Sequence, residues 1–344
     1  MKNKLTKLIV LLLAIVVILF SGLIYFTFFA PNYFEGEIVI KVSKGMTFGQ
    51  VAESLKANNV IKNRTLFEIA GKIISAEKDI KIGKYLFISR MTNLEILDDL
   101  KSGKSALRVS VTIREGLKAT QQAKIYTQQL GIDSAKFVEF VFDESFAKKL
   151  GADGESLEGY LMPDTYQFYW QADEEEIIER MVEQFWKVYN DTFQQRAKIL
   201  GLSNNEIITM ASIVEVETDL DSERATIAGV YYNRLRKRIF LQADPTIQYV
   251  IEDGPRRLRY SDLKIESPYN TYRYFGLPPG PINNPGKASI LAALYPAKHK
   301  YIFFVATGFE GHTFTRTYSE HQRAVSQFRK NKTARQQNKE AGLN

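Results

Sequence analysis

Two carboxylates stand two residues apart at the end of a strongly helical stretch, in the run ASIVEVET: Glu215 and Glu217. On a helix, residues three, four and seven positions back share a face. For Glu215 these are Ser212, Ala211 and Ile208; for Glu217 they are Val214, Ile213 and Met210. Each acid therefore borders apolar surface, where a carboxyl group either reaches out to solvent or is kept protonated by desolvation. A carboxyl that stays protonated near neutral pH is what a general acid requires. A glutamate that only snorkels from a helix end has the same spacing, so the pattern alone chooses neither between the two acids nor between catalysis and solvation.

The rest of the inventory narrows the chemistry. The histidines, His299, His312 and His321, show no HExxH or comparable ligand spacing, so no metal site and no cofactor are expected. The chain has no cysteine, which excludes thiolate ligands, disulfides and cysteine nucleophiles. No GxSxG, Walker or GxGxxG pattern stands out beyond the N-terminal segment. The stretch SPYNTYRYFGLPPGPINNPG at 267–286 combines fixed prolines with permissive glycines, a shaped loop whose tyrosines and asparagines suit either a sugar cleft or a structural clamp.

The acids need a frame. Ser203 with Glu206 reads as a capping box opening the helix that carries them. Asp173 is placed to cap a preceding helix over 174–200, and a further helix is expected over about 222–237, followed by loop over 253–286 and a strand over 301–307. Upstream, EIVIKVS at 37–43 alternates as a strand, Thr47 caps a helix over 47–57, and helix, strand and helix follow near 64–75, 83–89 and 92–101. A second strand–turn–helix begins at 108–116. Aligning IKVSKGMTFGQVAESL with VTIREGLKATQQAKIY sets Gly45 opposite Gly116, a weak internal repeat. The small unit resembles LysM modules, which bind glycan chains; a spacer that holds the larger part off a membrane fits the same pattern.

From Leu8 to Ala30 no residue is charged, and 23 helical residues span about 35 Å, enough to cross a bilayer. The run is too long for the apolar region of a cleaved signal peptide and ends in aromatic rather than small residues. Lys2, Lys4 and Lys7 precede it, whereas Glu35 and Glu37 follow. The positive-inside rule then places the N-terminus in the cytoplasm and the remainder outside. Of the formal charge of +7, three come from those lysines, leaving 7 − 3 = +4 over the rest. That mild, diffuse excess tolerates anionic lipid or wall polymer and gives no argument for nucleic acid. The expected architecture is α+β: a cytoplasmic N-terminus (1–7), a transmembrane anchor (8–30), a small LysM-like α/β subdomain (31–106), a larger mixed α+β catalytic domain (107–330) and a polar, disordered tail (331–344).

With LEGYLMPDTY (157–166), ASIVEVET (211–218), YNRL (232–235), LQADPT (241–246), YNTYRYFGLPPGPINNPG (269–286) and GHTF (311–314) in this order, the chain resembles the endolytic murein transglycosylases of the YceG-like family. Val216 and Ala243 depart from residues frequent there. The resemblance implies a membrane-bound lyase that cuts nascent peptidoglycan strands between N-acetylmuramic acid and N-acetylglucosamine, leaving 1,6-anhydro ends. It implies Glu215, the first acid of ASIVEVET, as the catalytic residue. Motif membership makes Asn233, Gln242, Asp244, Tyr269, Asn270 and His312 the candidates for orienting sugar. The implied partners are glycan strands, the cytoplasmic membrane and peptidoglycan synthases. A lysozyme-type hydrolase using Asp244 or Glu217 as a second carboxylate, and a silent wall-binding scaffold, are the alternative readings.

Overall fold

The computed structural model describes residues 2–251, 254 and 256–340, and the burial of side chains from 4 to 337 among them. The chain is mixed α+β, with three two-stranded sheets among the described residues. It folds into two compact units: residues 1–110 with 129–131 and 167–172, and residues 111–128, 132–166 and 173–344.

In the first unit, α1 (Lys2–Ile24) continues into a π-helical turn, Tyr25–Phe29. The run Lys4–Phe29 is strongly apolar, and its most apolar stretch is not buried. An unburied apolar surface of this length suits the inside of a bilayer. Strand β1 (Glu37–Val42), helices α2 (Phe48–Ala57) and α3 (Arg64–Ile73), strand β2 (Gly83–Ile88) and helix α4 (Asn93–Ser102) follow. β1 and β2 pair antiparallel from Glu37↔Ile88 to Val42↔Gly83. Their alternation turns Ile40, Val42, Tyr85 and Phe87 inward against Val51, Leu55, Phe67 and Leu97. Thr47 with Gln50, and Thr92 with Glu95, form complete capping boxes, and Asn63 caps α3. The βααβ order matches the one expected from the strand and helix periods.

The second unit begins within β3 (Arg108–Thr112), which pairs with β4 (Thr165–Tyr169). Between them lie α5 (Ala119–Leu130), α6 (Ser134–Val141) and α7 (Glu144–Lys149), of which α6 and α7 were not expected. The single helix expected over 174–200 is two, α8 (Glu174–Val188) and α9 (Asp191–Leu200), because Asn190 caps a new start through Thr192 and Phe193 N–H. Then come α10 (Asn204–Glu215), α11 (Asp221–Arg236), α12 (Asp244–Val250), α13 (Lys287–Leu294), a hairpin of β5 (Phe303–Ala306) and β6 (His312–Thr315), and α14 (Tyr318–Glu340). α12, opened by Pro245, was not expected. α14 stays helical to Glu340 through residues expected to be a disordered tail; 341–344 lie outside the described residues, as do 252, 253 and 255 of the expected loop.

α10 organises this unit. Ser203 and Glu206 form the capping box that opens it, and every residue from Ile207 to Glu215 is buried. A helix buried all round has no solvent face on which a carboxylate can rest, so both acids at its end must find protein partners.

Candidate active site

α10 stops at Glu215: Val216 is its C-cap, at φ −99° and ψ 3°, and Glu217 lies one residue beyond. Glu217 therefore does not share a helical face with Val214, Ile213 and Met210, and the two acids enter different surroundings.

The Glu215 side chain is only 5% exposed and ion-paired, with Arg224 Nη1 3.1 Å from Oε1. The amide of Gly286 donates to Oε2 at 2.9 Å. Arg224 is itself fixed by Asp221 at 2.9 Å and Ser289 at 2.6 Å. A further carboxyl, Glu115, closes over the same glycine: a Cβ on Gly286 would lie 1.8 Å from Glu115 Oε1, so a larger residue there would push the Glu115 carboxyl aside. Burial, and then the charge of Glu215, raise the pKa of Glu115 above the usual carboxylate range. Glu115 escaped the sequence reading because its proximity to Glu215 arises between residues 100 positions apart in the chain.

Glu217 instead lines a cavity of about 400 Å³. Tyr231 donates its hydroxyl to Glu217 Oε1 at 2.5 Å. Desolvation pushes the Glu217 carboxyl up to about 7, opposed by the Tyr231 hydrogen bond and reinforced by the charge of Asp244; His312 and Arg234 pull it down. Gln242 and Asp244 share the cavity wall with Glu217, as do Arg234 and Tyr272. Tyr272 donates to Asp244 Oδ1, and Arg234 binds Leu241 O at 2.7 Å and Gln242 Oε1 at 3.1 Å. Burial lowers the pKa of Arg234. The backbone at Gln242 is left-handed, at φ +49°, and is held there by its N–H to Thr271 O at 3.1 Å. A non-glycine residue in that region stores strain, and such strain gathers at working sites. Phe303, Phe304, Tyr318 and His321, from the hairpin and α14, complete the other side.

The remaining candidates sit elsewhere. Asn233 is 6% exposed, and its amide binds the carbonyls of His299 at 3.0 Å and Tyr301 at 2.8 Å, pinning the approach to the hairpin. Asn270 is fully buried and closes its own loop through Leu263 O at 3.1 Å and Ile265 O at 2.8 Å. The Tyr269 ring packs on Tyr249, centroids 4.9 Å apart. His312 Nδ1 lies 2.7 Å from a carboxylate oxygen of Glu223. None of these four is among the cavity walls. The sequence reading passed over Tyr231 and Arg234 as site residues, although they sit beside and in the YNRL run that was noticed; Tyr272 belongs to the loop whose tyrosines suited a sugar cleft.

Comparison with known proteins gives a consistent result. Residues 40–327 match the model of the YceG-like family. The chain is 34% identical over 304 residues to an endolytic murein transglycosylase of Bacillus subtilis strain 168, covering 84% of each. It is 26% identical over 321 residues to a protein of the same name from Streptococcus pneumoniae strain D39, covering 84% of this chain and 58% of that relative. A solved YceG-like protein of Listeria monocytogenes superposes with a TM-score of 0.59 at 30% identity, over 83% of this chain and 98% of the other. On the length of the family match and the closeness of the Bacillus relative, this chain belongs to the YceG-like family.

Proposed function

We propose that the chain is an endolytic murein transglycosylase, a lyase held at the cytoplasmic membrane by α1 with residues 31–344 on the outer side, and that Glu217 rather than Glu215 is its acid. One observation carries the assignment of the acid: the Glu217 carboxyl is half-buried in a cavity, pushed up to about 7 and held by Tyr231. Glu215 is occupied by Arg224 and by the Gly286 amide, which gives it an anchoring role. Membership of the family, and the names of the Bacillus and Streptococcus relatives, support the substrate class.

In this mechanism Glu217 gives its proton to the glycosidic oxygen between N-acetylmuramic acid and N-acetylglucosamine as the bond to the anomeric carbon breaks. The substrate itself relieves the positive charge left on that carbon. Glu217, now a carboxylate steadied by the Tyr231 hydroxyl and the Arg234 charge, takes the proton of the muramoyl C6 hydroxyl as that oxygen closes on the anomeric carbon. The acid is regenerated and no water is consumed, so one carboxylate suffices where hydrolases use two. Gln242 and Asp244 are placed to orient the sugars. In the small unit, the βααβ subdomain serves as a glycan contact or as a spacer.

Asp244 in the same cavity favours one rival, a lysozyme-type hydrolase in which it serves as the second carboxylate. Digestion of purified sacculi by the full-length protein in detergent, with the fragments weighed, separates the two. Ends lighter by one water are expected; reducing ends would establish the hydrolase, and intact sacculi would end the enzymatic reading.

A further inference from the structure

Beside the cavity, a second pair of side chains is built with as much care as the first, and the mechanism above does not use it. The hairpin between β5 and β6 places His312 at the first position of β6, opposite Ala306. Glu223, on the first turn of α11, meets it with both oxygens: Oε1 accepts the His312 backbone N–H at 2.8 Å, and Oε2 lies 2.7 Å from the ring Nδ1. Thr218, the residue after Glu217, adds its hydroxyl to Oε2 at 3.4 Å. The corner before His312 is shaped around this carboxylate. Gly311 stands at φ +77°, and a Cβ there would come within 2.5 Å of Glu223 Oε1. The imidazole is held edge-on by Phe304, centroids 5.4 Å apart, and Phe304 in turn packs on Tyr231, the residue that binds Glu217.

An ionised carboxylate only accepts hydrogen bonds, so the proton of a neutral imidazole facing it must sit on Nδ1. Nε2 is then left with a lone pair and, among the described residues, no hydrogen-bond partner. The group lies near enough to the acid that its positive form pulls down the Glu217 pKa.

We propose that Glu223 and His312 form a carboxylate–imidazole dyad that fixes the Nδ1–H tautomer and offers His312 Nε2 as a hydrogen-bond acceptor to a sugar hydroxyl next to the bond cut at Glu217. The inference rests on the transglycosylase reading, and it assigns His312 a substrate contact and Glu223 a positioning role. Replacing Glu223 by Gln preserves size and keeps an oxygen for the His312 N–H, but turns an amide donor toward Nδ1. The neutral ring must then carry its proton on Nε2, which presents a donor where the sugar hydroxyl expects an acceptor.

The test combines ring-nitrogen NMR of His312 with cleavage of sacculi by the full-length protein. In the wild type, and in Glu217→Gln, the neutral ring should carry its proton on Nδ1; in Glu223→Gln it should move to Nε2. Glu223→Gln and His312→Ala should each lower kcat/KM about 10- to 100-fold, the size of one mispaired buried hydrogen bond, and the double variant should lose no more than either. The double-variant comparison keeps the test open if either single change costs some stability. An unchanged tautomer in Glu223→Gln, wild-type cleavage by either single variant, or losses that multiply in the double variant would overturn the dyad. Tautomers as expected in the wild type and in Glu223→Gln, with no fragment released by the wild type, would overturn the transglycosylase reading and, with it, the sugar contact.

Discussion

The two compact units bury very different interiors. In the first, Ile40, Val42, Leu55, Phe67, Tyr85, Phe87 and Leu97 form an apolar core, and Asp99 is its only buried ionisable carboxylate or cation among the described residues. In the second, Glu158, Glu174, Glu215, Arg224, Arg234 and Asp262 are all buried. Burying a charge is costly unless it is paired, so a unit that does it repeatedly is built for something other than stability alone. The small unit folds as a patterned scaffold, whereas the larger one uses a polar interior to place carboxyl groups in chosen surroundings.

That contrast breaks most visibly at Glu217. Replacing it with Gln should lower cleavage of sacculi about 10²- to 10⁴-fold with the melting temperature nearly unchanged. Glu215→Gln should retain far more activity; equal losses in both would return the acid role to Glu215. Next in size is Arg224→Met, which leaves Glu215 buried without its cation and should cost about 3–5 kcal/mol in denaturant unfolding of the larger unit. A loss under 1 kcal/mol would mean that the ion pair carries no structural weight.

Glu158 sharpens the comparison through pH. Its carboxyl is 2% exposed, receives Ala119 N–H at 3.0 Å and the Asn284 amide at 2.8 Å, and is pushed up to about 7 by burial. Its folded pKa is thus above the ordinary carboxylate value, so the folded state holds the proton more tightly. The stability this lends is complete below about pH 4.5 and is lost as pH rises through about 7. Glu158→Gln should remove a pH-dependent loss on the order of 3 kcal/mol between those limits, measured as urea midpoints across pH. A wild type whose midpoint is flat over that range would contradict the burial argument. Tyr231→Phe is a smaller change: it deletes a hydrogen bond that lowers the Glu217 pKa, so the alkaline limb of the rate profile should move to higher pH. The smallest effect belongs to the first unit. Arg64 and Glu53 form an exposed ion pair, 46% and 58% open to solvent, and Glu53→Gln should leave its melting temperature where it was.

Much of this was legible before any coordinate. The charge-free run from Leu8 to Ala30, the capping residues Thr47, Ser203 and Glu206, and the alternation in EIVIKVS are local patterns, and each element formed where its pattern stood. The break at Asn190 and the helix after Pro245 were less visible, because a strong amphipathic period hides a cap and a proline reads as a stop. Of the expected sugar contacts, Gln242 and Asp244 reached the cavity with Glu217, whereas the amides of Asn233 and Asn270 bind carbonyls that folding had left without partners.

The chain by itself determined an apolar span, two small-unit strands with their capped helices, and a buried helix ending near two acids, since periodicity and capping act over a few residues. Only the tertiary structure decided which acid could work. α10 ends at Glu215, so the change of direction over the next two residues delivers Glu215 to Arg224 and Glu217 to Tyr231 and an open cavity. The pKa of a carboxyl is set by whatever surrounds it within a few ångströms, and those surroundings come from segments far apart in the chain.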